Sequence, residues 1–385
     1  MVKGQYVLCL ALGVVTGCMN TDAGRENVQE YLDGFRPTLL EYASDTFVFP
    51  EGAVITPQIP RVLARLAISR CTVVPALPAG LALENTTCAF SGTPVLAQAA
   101  AGYTITASND AGSISALISI RISTPPPSSL TYTGSPYAFV KTAPITTITP
   151  TVTGIVTSCT ASPPLPGLTL NNATCEISGS ATSSQLQTTH TITASNTEGS
   201  TSTTIDLTIF RVLFIASGTS GSNMANSGVA DNYCNTAGNK PAGTGNYKAM
   251  MSGWGTRRAC SSNNCTTSGA AENLDWALAP NTQYRRNDLS TIIMTTNSAG
   301  IFVFGTLQAT IVATPLPGGS PITLWTGLSA GWLSQSSSGT CGGNWSTPGG
   351  TGVYGLINRT NSTLLHYSTA TPCSSNSGQL ACAQQ

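Results

Sequence analysis

The chain contains two copies of one sequence module, and this repeat constrains the fold more than any other feature. Leu77–Leu83 recurs as Leu165–Leu170, with Leu-Pro followed closely by Gly-Leu in both copies. The offset from Cys88 to Cys175 is 87 residues, and a later strand-like stretch keeps the same offset. An offset kept across separate segments indicates an internal repeat, so the first half of the chain is predicted to hold two related units.

Each copy is predicted to consist of short β-strands. Tyr103–Ala107 and Ser113–Ile122 alternate apolar and polar residues, which is typical of strands with one buried face. Asn109–Gly112 and Asn196–Gly199 have the composition of tight turns and are predicted to join hairpins. Short strands with frequent turns predict an all-β sandwich in each copy.

Further motifs carry a family resemblance. The second copy opens with Leu130–Pro136, both copies place Ser-Gly after the Leu-Pro segment, and both contain the strand Thr-Ile-Thr-Ala-Ser-Asn. In these motifs the copies resemble the immunoglobulin-like module of bacterial surface proteins. The resemblance implies two immunoglobulin-like sandwiches, at residues 44–124 and 128–210. In the first copy Phe47–Gly52 replaces the opening only loosely.

Three prolines, Pro125–Pro127, separate the two copies. Consecutive prolines favour an extended and stiff connection. We therefore expect the modules to form a stalk. The alternative, that the modules themselves hold a ligand, stays open at this point.

The first residues have the order of a secretory signal. Lys3 precedes an apolar run, Tyr6–Val15, which is shorter than the ~20 residues that span a bilayer. The ending Val-Thr-Gly-Cys18 resembles the lipobox of bacterial lipoproteins, which implies a signal peptide at 1–17 and a lipid anchor on Cys18. Two or three acyl chains hold a protein on a membrane stably. The alternative is an ordinary signal peptide with a chance cysteine.

Residues 18–43 are polar and rich in acidic side chains, and they are predicted to form a flexible tether. The alternative is a helix that docks on the first module. The resemblance to bacterial lipoproteins, the anchor and the tether together predict a protein that is attached to the cell outer membrane and exposed at the cell surface.

The cysteine count fits export. Of 12 cysteines, Cys9 belongs to the expected signal peptide and Cys18 to the anchor, which leaves an even number for disulfides. Each module has one natural pair of cysteines. A disulfide that closes a loop of about 15 residues stabilises the fold by about 3 kcal/mol. These two pairs are Cys71 with Cys88 and Cys159 with Cys175.

Composition disfavours several classes of function. The net charge is zero, with charged residues at 8%, so no nucleic-acid partner is expected. No Cys-x-x-Cys occurs, and the two histidines, His190 and His366, lie far apart in sequence, so no metal or other cofactor is expected. Without a recognisable catalytic motif the chain is not expected to be an enzyme. Glu272 and Asp275 are interpreted as salt-bridge or capping residues.

A different domain begins near Arg211. An apolar strand, Val212–Ile215, is followed by helical spacing over Ala225–Gly238, and all five tryptophans lie after these segments. Blocks such as Asp275–Leu278 and Trp325–Leu328 resemble a C-terminal domain of spirochaetal surface lipoproteins whose function is uncharacterised. The resemblance covers residues 211–385.

A more distant resemblance is to the C-type-lectin-like and endostatin-like fold, because Trp325–Leu328 is similar to its central Trp-Ile-Gly-Leu strand. It implies an α+β head. Sequence alone allows 15 pairings of six cysteines; the resemblance implies Cys234 with Cys382, Cys341 with Cys373, and Cys260 with Cys265. The lectin tripeptides Glu-Pro-Asn, Gln-Pro-Asp and Trp-Asn-Asp are absent, so calcium-dependent sugar binding is disfavoured. Calcium-independent glycan binding remains a lesser alternative.

Arginine and aromatic residues of the head form the candidate partner-binding surface, because such residues dominate the centres of protein interfaces. The candidates are Trp254, Arg257, Arg258, Tyr284, Arg285, Arg286 and Trp332. The alternative is that Trp276, Trp325 and Trp345 fill the core while the arginines are solvated or structurally paired. The resulting hypothesis is a surface lipoprotein that adheres to a host extracellular-matrix or serum protein. The runner-up is a structural lipoprotein that faces the periplasm.

Overall fold

The computed structural model describes residues 34–219, 224–313, 323–335, 339–347, 350–374 and 378–385. It also describes the backbone of two short antiparallel strands, β1 (Leu8–Cys9) and β2 (Cys18–Met19). The rest of the expected signal peptide and tether up to residue 33 lies outside the described residues. Within the described part of the chain, no helix combines the length and the apolar composition that crossing a bilayer requires.

The protein is multidomain and mostly β, and it divides into two compact units. One unit contains the residues up to Pro126 together with the turn Asn196–Gly199. The other contains Pro127–Ser195 and Ser200–Gln385. The second module and the C-terminal head therefore belong to the same unit.

The first module packs three small sheets around one core. Its four-stranded sheet has the order β4-β11-β10-β7, and β3-β6 and β5-β9-β8 complete it. The strands are β3 (Leu39–Glu41), β4 (Thr46–Pro50), β5 (Ile55–Gln58), β6 (Arg61–Leu63), β7 (Arg70–Val74), β8 (Leu81–Leu83), β9 (Phe90–Gly92), β10 (Gln98–Asn109) and β11 (Gly112–Ser123).

The predicted alternation of β10 and β11 is confirmed. Tyr103, Ile105 and Ala107 are buried on one face of β10, and Ile118 and Ile120 are buried on β11. The hairpin between the strands is the predicted one, because the Asn109 side chain accepts hydrogen bonds from the amides of Ala111 and Gly112. This intra-turn bonding is what makes Asn favourable in such turns.

The expected boundary of the first module at residue 44 is too late. Leu39–Glu41 pairs with β6, and Leu40 and Tyr42 are buried in the module core. The Tyr42 hydroxyl donates to the carbonyl of Cys88 at 2.5 Å. The last residues of the expected tether thus belong to the module and contain its first strand. Burying Leu40 and Tyr42 removes apolar surface from water, which stabilises the folded module.

The second module repeats this arrangement. Its strands are β12 (Ser128–Thr131), β13 (Tyr137–Val140), β14 (Thr151–Thr153), β15 (Ser158–Ser162), β16 (Leu168–Leu170), β17 (Ile177–Gly179), β18 (Gln185–Asn196) and the module part of β19 (Gly199–Thr219). Ile192, Ala194 and Ile209 are fully buried in its core. Tyr132 donates to the carbonyl of Cys175 at 2.6 Å, as Tyr42 does to that of Cys88.

One glycine explains why the Leu-Pro segment recurs. Gly80 has a φ of +92°, and a Cβ at this position would lie 1.9 Å from the carbonyl oxygen of Thr93. Gly167 has a φ of +80°, and its Cβ would meet Thr182. Only glycine adopts this backbone conformation with so close an approach.

The head is built on the strand that leaves the second module. The strand β19 pairs with β13 in the module and then with β26 and β21 in the head. The remaining elements are α1 (Ser227–Thr236), β20 (Tyr247–Ala249), β21 (Gln283–Arg285), β22 (Ile292–Thr295), β23 (Thr323–Trp325), β24 (Thr351–Leu356), β25 (Ser368–Pro372) and β26 (Gly378–Gln384), with short 3₁₀ or π turns at Asn263–Cys265, Gly269–Glu272, Cys341–Trp345 and Ser362–Leu364. The helix lies within the segment where the sequence predicts it.

Gln384 connects the head to the second module. Its side chain is fully buried, accepts from the amide of Val212 and donates to the carbonyls of Lys141 and Thr244. Lys141 in turn donates to the main-chain oxygen of Gln385 at 2.8 Å. A buried amide with all its groups bonded fixes its neighbours in place.

Candidate functional site

Five disulfides join the cysteines of the modules and the head. They are Cys71–Cys88, Cys159–Cys175, Cys234–Cys382, Cys260–Cys265 and Cys341–Cys373. These are the pairs expected from the sequence and its family resemblance. In the head, the Cys234–Cys382 bridge joins α1 to β26, so the two ends of the domain are covalently connected.

Arg257 is a core residue, which corrects its place in the expected surface. Its side chain is 1% exposed and makes a bidentate salt bridge with Asp231 on α1, at 2.6 and 2.8 Å. It also bonds Asp275 at 2.6 Å, and Lys248 pairs with the other oxygen of Asp275. Burial alone would raise the pKa of Asp275, but hydrogen bonds from Lys248 and Arg257 keep this pKa below its ordinary value.

Tyr284 and Trp332 are also buried, so neither belongs to a surface. The Tyr284 hydroxyl accepts from the amide of Ala279, and burial raises its pKa. A partner cannot contact fully buried rings without unfolding the head, and the expected interface fails at these two positions.

The other four candidates have structural partners. Half-buried Trp254 donates its indole N–H to the carbonyl of Met224, and Arg258 donates to the carbonyl of Glu272. The Arg285 guanidinium lies 4.2 Å above the ring of Phe210, and Arg286 donates to the carbonyl of Thr310. These contacts agree with the alternative interpretation, in which the tryptophans fill the core and the arginines are structurally paired.

Glu272 organises the exposed loop 261–268. Its carboxylate accepts from the amides of Ser261, Ser262, Thr267 and Ser268, and from two serine hydroxyls. Burial would raise its pKa, but these hydrogen bonds, led by that from Ser262, lower the pKa to about 2. Glu272 is therefore a loop cap, which was one of the two roles predicted from its sequence position.

An aromatic cluster lies below this loop. Trp332 packs edge-on against Phe302 with ring centroids 4.5 Å apart, and it stacks on Phe304 at 6.2 Å. Trp276 extends the cluster and donates its indole N–H to the carbonyl of Gly300. Trp332, Trp276 and Phe302 are buried, whereas Phe304 is only partly covered.

A depression of about 290 Å³ opens where Phe304 reaches the surface. It is lined by partly exposed Phe304, exposed Val303 and buried Phe302, and by Asn264, Asn297, Ile301 and Ala330. We call these residues the aromatic depression. Of the described residues that line it, none carries a charge.

Asn264 is held by its backbone and Asn297 by its side-chain oxygen. Asn264 has a φ of +52°, and its amide N–H donates to the carbonyl of Gly331 at 2.8 Å. Asn297 caps a turn, because its side-chain oxygen accepts from the amides of Ala299 and Ile301. Its side-chain N–H₂ is left for other partners.

Sequence reasoning missed this site. The signals present were an asparagine beside a cysteine in the loop between Cys260 and Cys265, and the apolar run Ile-Phe-Val-Phe after Gly300. Neither signal matches a known sequence motif, and the two loops come together only in the folded structure.

Two family profiles match the sequence. Residues 37–123 and 120–210 match one described as "Putative Ig domain", and residues 217–363 match one described as "Protein of unknown function (DUF1554)". The protein therefore carries two immunoglobulin-like modules followed by a DUF1554 domain. Such modules together with several disulfides fit an extracellular protein of the adhesion type. No protein with a curated description matches the sequence.

Among solved structures, the chain is similar to Drosophila OTK, extracellular domains 3–5, at 14% identity with a TM-score of 0.30. The match covers 44% of this chain and 62% of that chain, so the protein spans less than two thirds of the length of this relative. It is also similar to titin domains z1z2, at 13% identity with a TM-score of 0.26, covering 45% of this chain and 96% of that chain.

Proposed function

We propose that the protein is a surface lipoprotein of the bacterial, spirochaetal type that adheres to an extracellular partner. In this proposal an acyl anchor on Cys18 holds the chain on the outer membrane, the immunoglobulin-like modules act as a stalk, and the head binds the partner. A host extracellular-matrix or serum protein is the proposed partner. The proposal assigns the head a binding role and no catalytic step.

The observation that carries the proposal is the set of five disulfides, three of them in the head. Disulfides of this density form and persist in oxidising compartments outside the cytoplasm. Immunoglobulin-like modules in tandem place a terminal domain at a distance from its anchor, which is useful for adhesion and unnecessary for an enzyme of the cell interior.

The proposed head is C-type-lectin-like. Support comes from the bridge between α1 and β26 through Cys234 and Cys382, and from the nested bridge Cys341–Cys373. The Trp-Thr-Gly-Leu segment that carries the resemblance begins with buried Trp325 at the end of β23, next to β24 and β26. These features are compatible with that fold family.

The test compares intact and lysed cells of the organism that makes the protein. On intact cells, added protease is expected to remove the head, whereas a periplasmic marker protein survives. A Cys18→Ser variant is expected to lose the fatty acids that mass spectrometry detects on the native polypeptide and to leave the membrane fraction. Survival of the head on intact cells would favour the structural, periplasm-facing alternative, and a membrane-bound Cys18→Ser protein would contradict the anchor.

A further inference from the structure

We infer that the aromatic depression of the head is a binding subsite for one neutral saccharide unit, recognised without calcium. This inference rests on the proposed function, because it names the chemical class that an extracellular binding head recognises. A glycan on an extracellular glycoprotein would present such a unit.

The size and floor of the depression fit one sugar ring. Its volume of about 290 Å³ lies just below the usual range of small-molecule sites, roughly 300–1,000 Å³, as suits a ligand of a single ring. Phe304, which is partly exposed, supplies aromatic surface, and the buried ring of Phe302 lies behind it. Aromatic faces carry negative partial charge, so they attract the slightly positive C–H groups on one side of a pyranose ring.

The polar groups fit sugar hydroxyls. A side-chain amide both donates and accepts hydrogen bonds, and so does a hydroxyl group. Asn264 presents both functions, since no hydrogen bond of its side chain occurs among the described residues. Asn297 presents its N–H₂ donor while its oxygen is engaged in the turn.

The loop that carries Asn264 is fixed before any ligand arrives. The Cys260–Cys265 disulfide closes a ring with a sequence separation of only 5, and Glu272 binds four amides of residues 261–268. A rigid loop loses little conformational entropy when it binds. The elaborate support of an exposed loop is therefore explained if the loop positions a recognition group.

The described lining residues carry no charge, and this constrains the charge of the ligand. An acidic sugar or a charged peptide would find no counter-ion there. Calcium needs several oxygen ligands, usually including carboxylates, and none of the lining residues is a carboxylate. The uncharged lining therefore favours a neutral ligand bound without a metal, and the amide groups beside the Phe304 ring fit a saccharide.

The experiment uses the full chain with Cys18→Ser, so that it is soluble, on an array of neutral, sialylated and sulfated oligosaccharides with and without EDTA. We expect saturable binding of neutral hexose or N-acetylhexosamine glycans that EDTA leaves unchanged. Asn264→Gly removes the amide while it keeps the positive φ, and Asn297→Asp keeps the capping oxygen while it removes the donor. Each is expected to weaken binding about tenfold.

The matched control is Asn281→Gly. Asn281 is another exposed asparagine of the head with positive φ, 46°, and it does not line the depression. The affinity of Asn281→Gly for neutral glycans is expected to stay within about twofold of that of the parent protein. Thermal melting verifies that all variants fold. Phe304→Leu, which keeps an apolar side chain, is expected to weaken binding as well.

Three results would overturn the inference: no neutral glycan binds, only the sialylated or sulfated glycans bind, or Asn264→Gly and Asn297→Asp bind as well as the control. If the protein is accessible on the cell surface but binds no glycan on the array, the saccharide inference is wrong and the surface function stands. If it binds glycans but is protected inside intact cells, the surface function is wrong instead.

Discussion

The two immunoglobulin-like modules share one framework and differ in how they end. In both, a tyrosine hydroxyl bonds the carbonyl of the second disulfide cysteine, and two aromatic rings stack on the parallel edge strand. In the first module the last strand, β11, ends at Ser123, just before Pro125–Pro127. In the second module the corresponding strand, β19, is 21 residues long and continues from the module into the head.

The same module thus serves as a separate domain in one copy and as the foundation of the head in the other. Proline lacks the N–H that a sheet ladder needs, so three prolines in a row end the pairing of the first module. The second copy has no proline at the corresponding point, and β19 passes directly from its pairing with β13 to its pairing with β26. The head is thus built on a folded module.

Removing the module disulfides tests the shared framework and has the largest expected effect. Cys71→Ala with Cys88→Ala opens a loop with a separation of 17, and Cys159→Ala with Cys175→Ala opens one of 16. Because the loops are nearly equal, each double variant is expected to lose about 3 kcal/mol of module stability. Calorimetric unfolding measures both losses, and losses that differ by more than about twofold would show that the frameworks are not equivalent.

Gln384→Leu tests the junction that only the second module has. The substitution leaves the buried amide of Val212 and the carbonyl of Thr244 without their partner. One unsatisfied buried group costs about 1–3 kcal/mol, so we expect a loss of roughly 2 kcal/mol or more in the unit that contains the head.

The control for this junction variant is Gln98→Leu in the first module, which removes a single bond, to the Tyr103 hydroxyl. Urea unfolding followed by tryptophan fluorescence reports on the head, because all tryptophans lie there. An equal shift from both glutamine variants would contradict the special role of Gln384.

The smallest effect concerns a cap that differs between the copies. Glu84 accepts from the amides of Thr86 and Thr87, and hydrogen bonds, above all from Thr87, lower its pKa from 4.5 to about 2. At the same position the second module has Asn171, which caps Ala173 and Thr174 without a charge.

Because the folded pKa of Glu84 is depressed, its contribution is complete above pH 4.5 and is lost as the pH falls towards 2. We expect Glu84→Asn to remove this part of the acid sensitivity of the first module. Amide chemical shifts of Thr86 and Thr87 between these pH values provide the measurement. Unchanged titration of these amides in the variant would assign the effect to another group.

The repeat and its alternating strands could be predicted because local pattern determines them. The opening of the first module was missed, although Leu40-Glu41-Tyr42 followed by Phe47-Val48-Phe49 matches Leu130-Thr131-Tyr132 followed by Tyr137-Ala138-Phe139. The spacing there is 90 residues, since the first copy is three residues longer between the opening and Cys88. A search at one fixed offset does not find it.

The burial of Arg257 and Trp332 could not be predicted from the sequence. Arg257 is buried because Asp231 and Asp275, which lie 26 and 18 residues away, neutralise it. An arginine on the surface and an arginine in a buried ion pair have the same local sequence. The aromatic depression has the same origin, because its two asparagines come from loops that meet only in the folded head.

The most direct test of this account compares the same core truncation in the two modules. Ile105 and Ile192 occupy equivalent positions in β10 and β18, and both are fully buried. Unfolding of Ile105→Ala and Ile192→Ala is followed by tryptophan fluorescence, which reports only on the head. We expect Ile192→Ala to lower the urea midpoint of the head and Ile105→Ala to leave it unchanged. A head midpoint that ignores Ile192→Ala, or that moves equally in both variants, would contradict the claim that the second module alone is the foundation of the head.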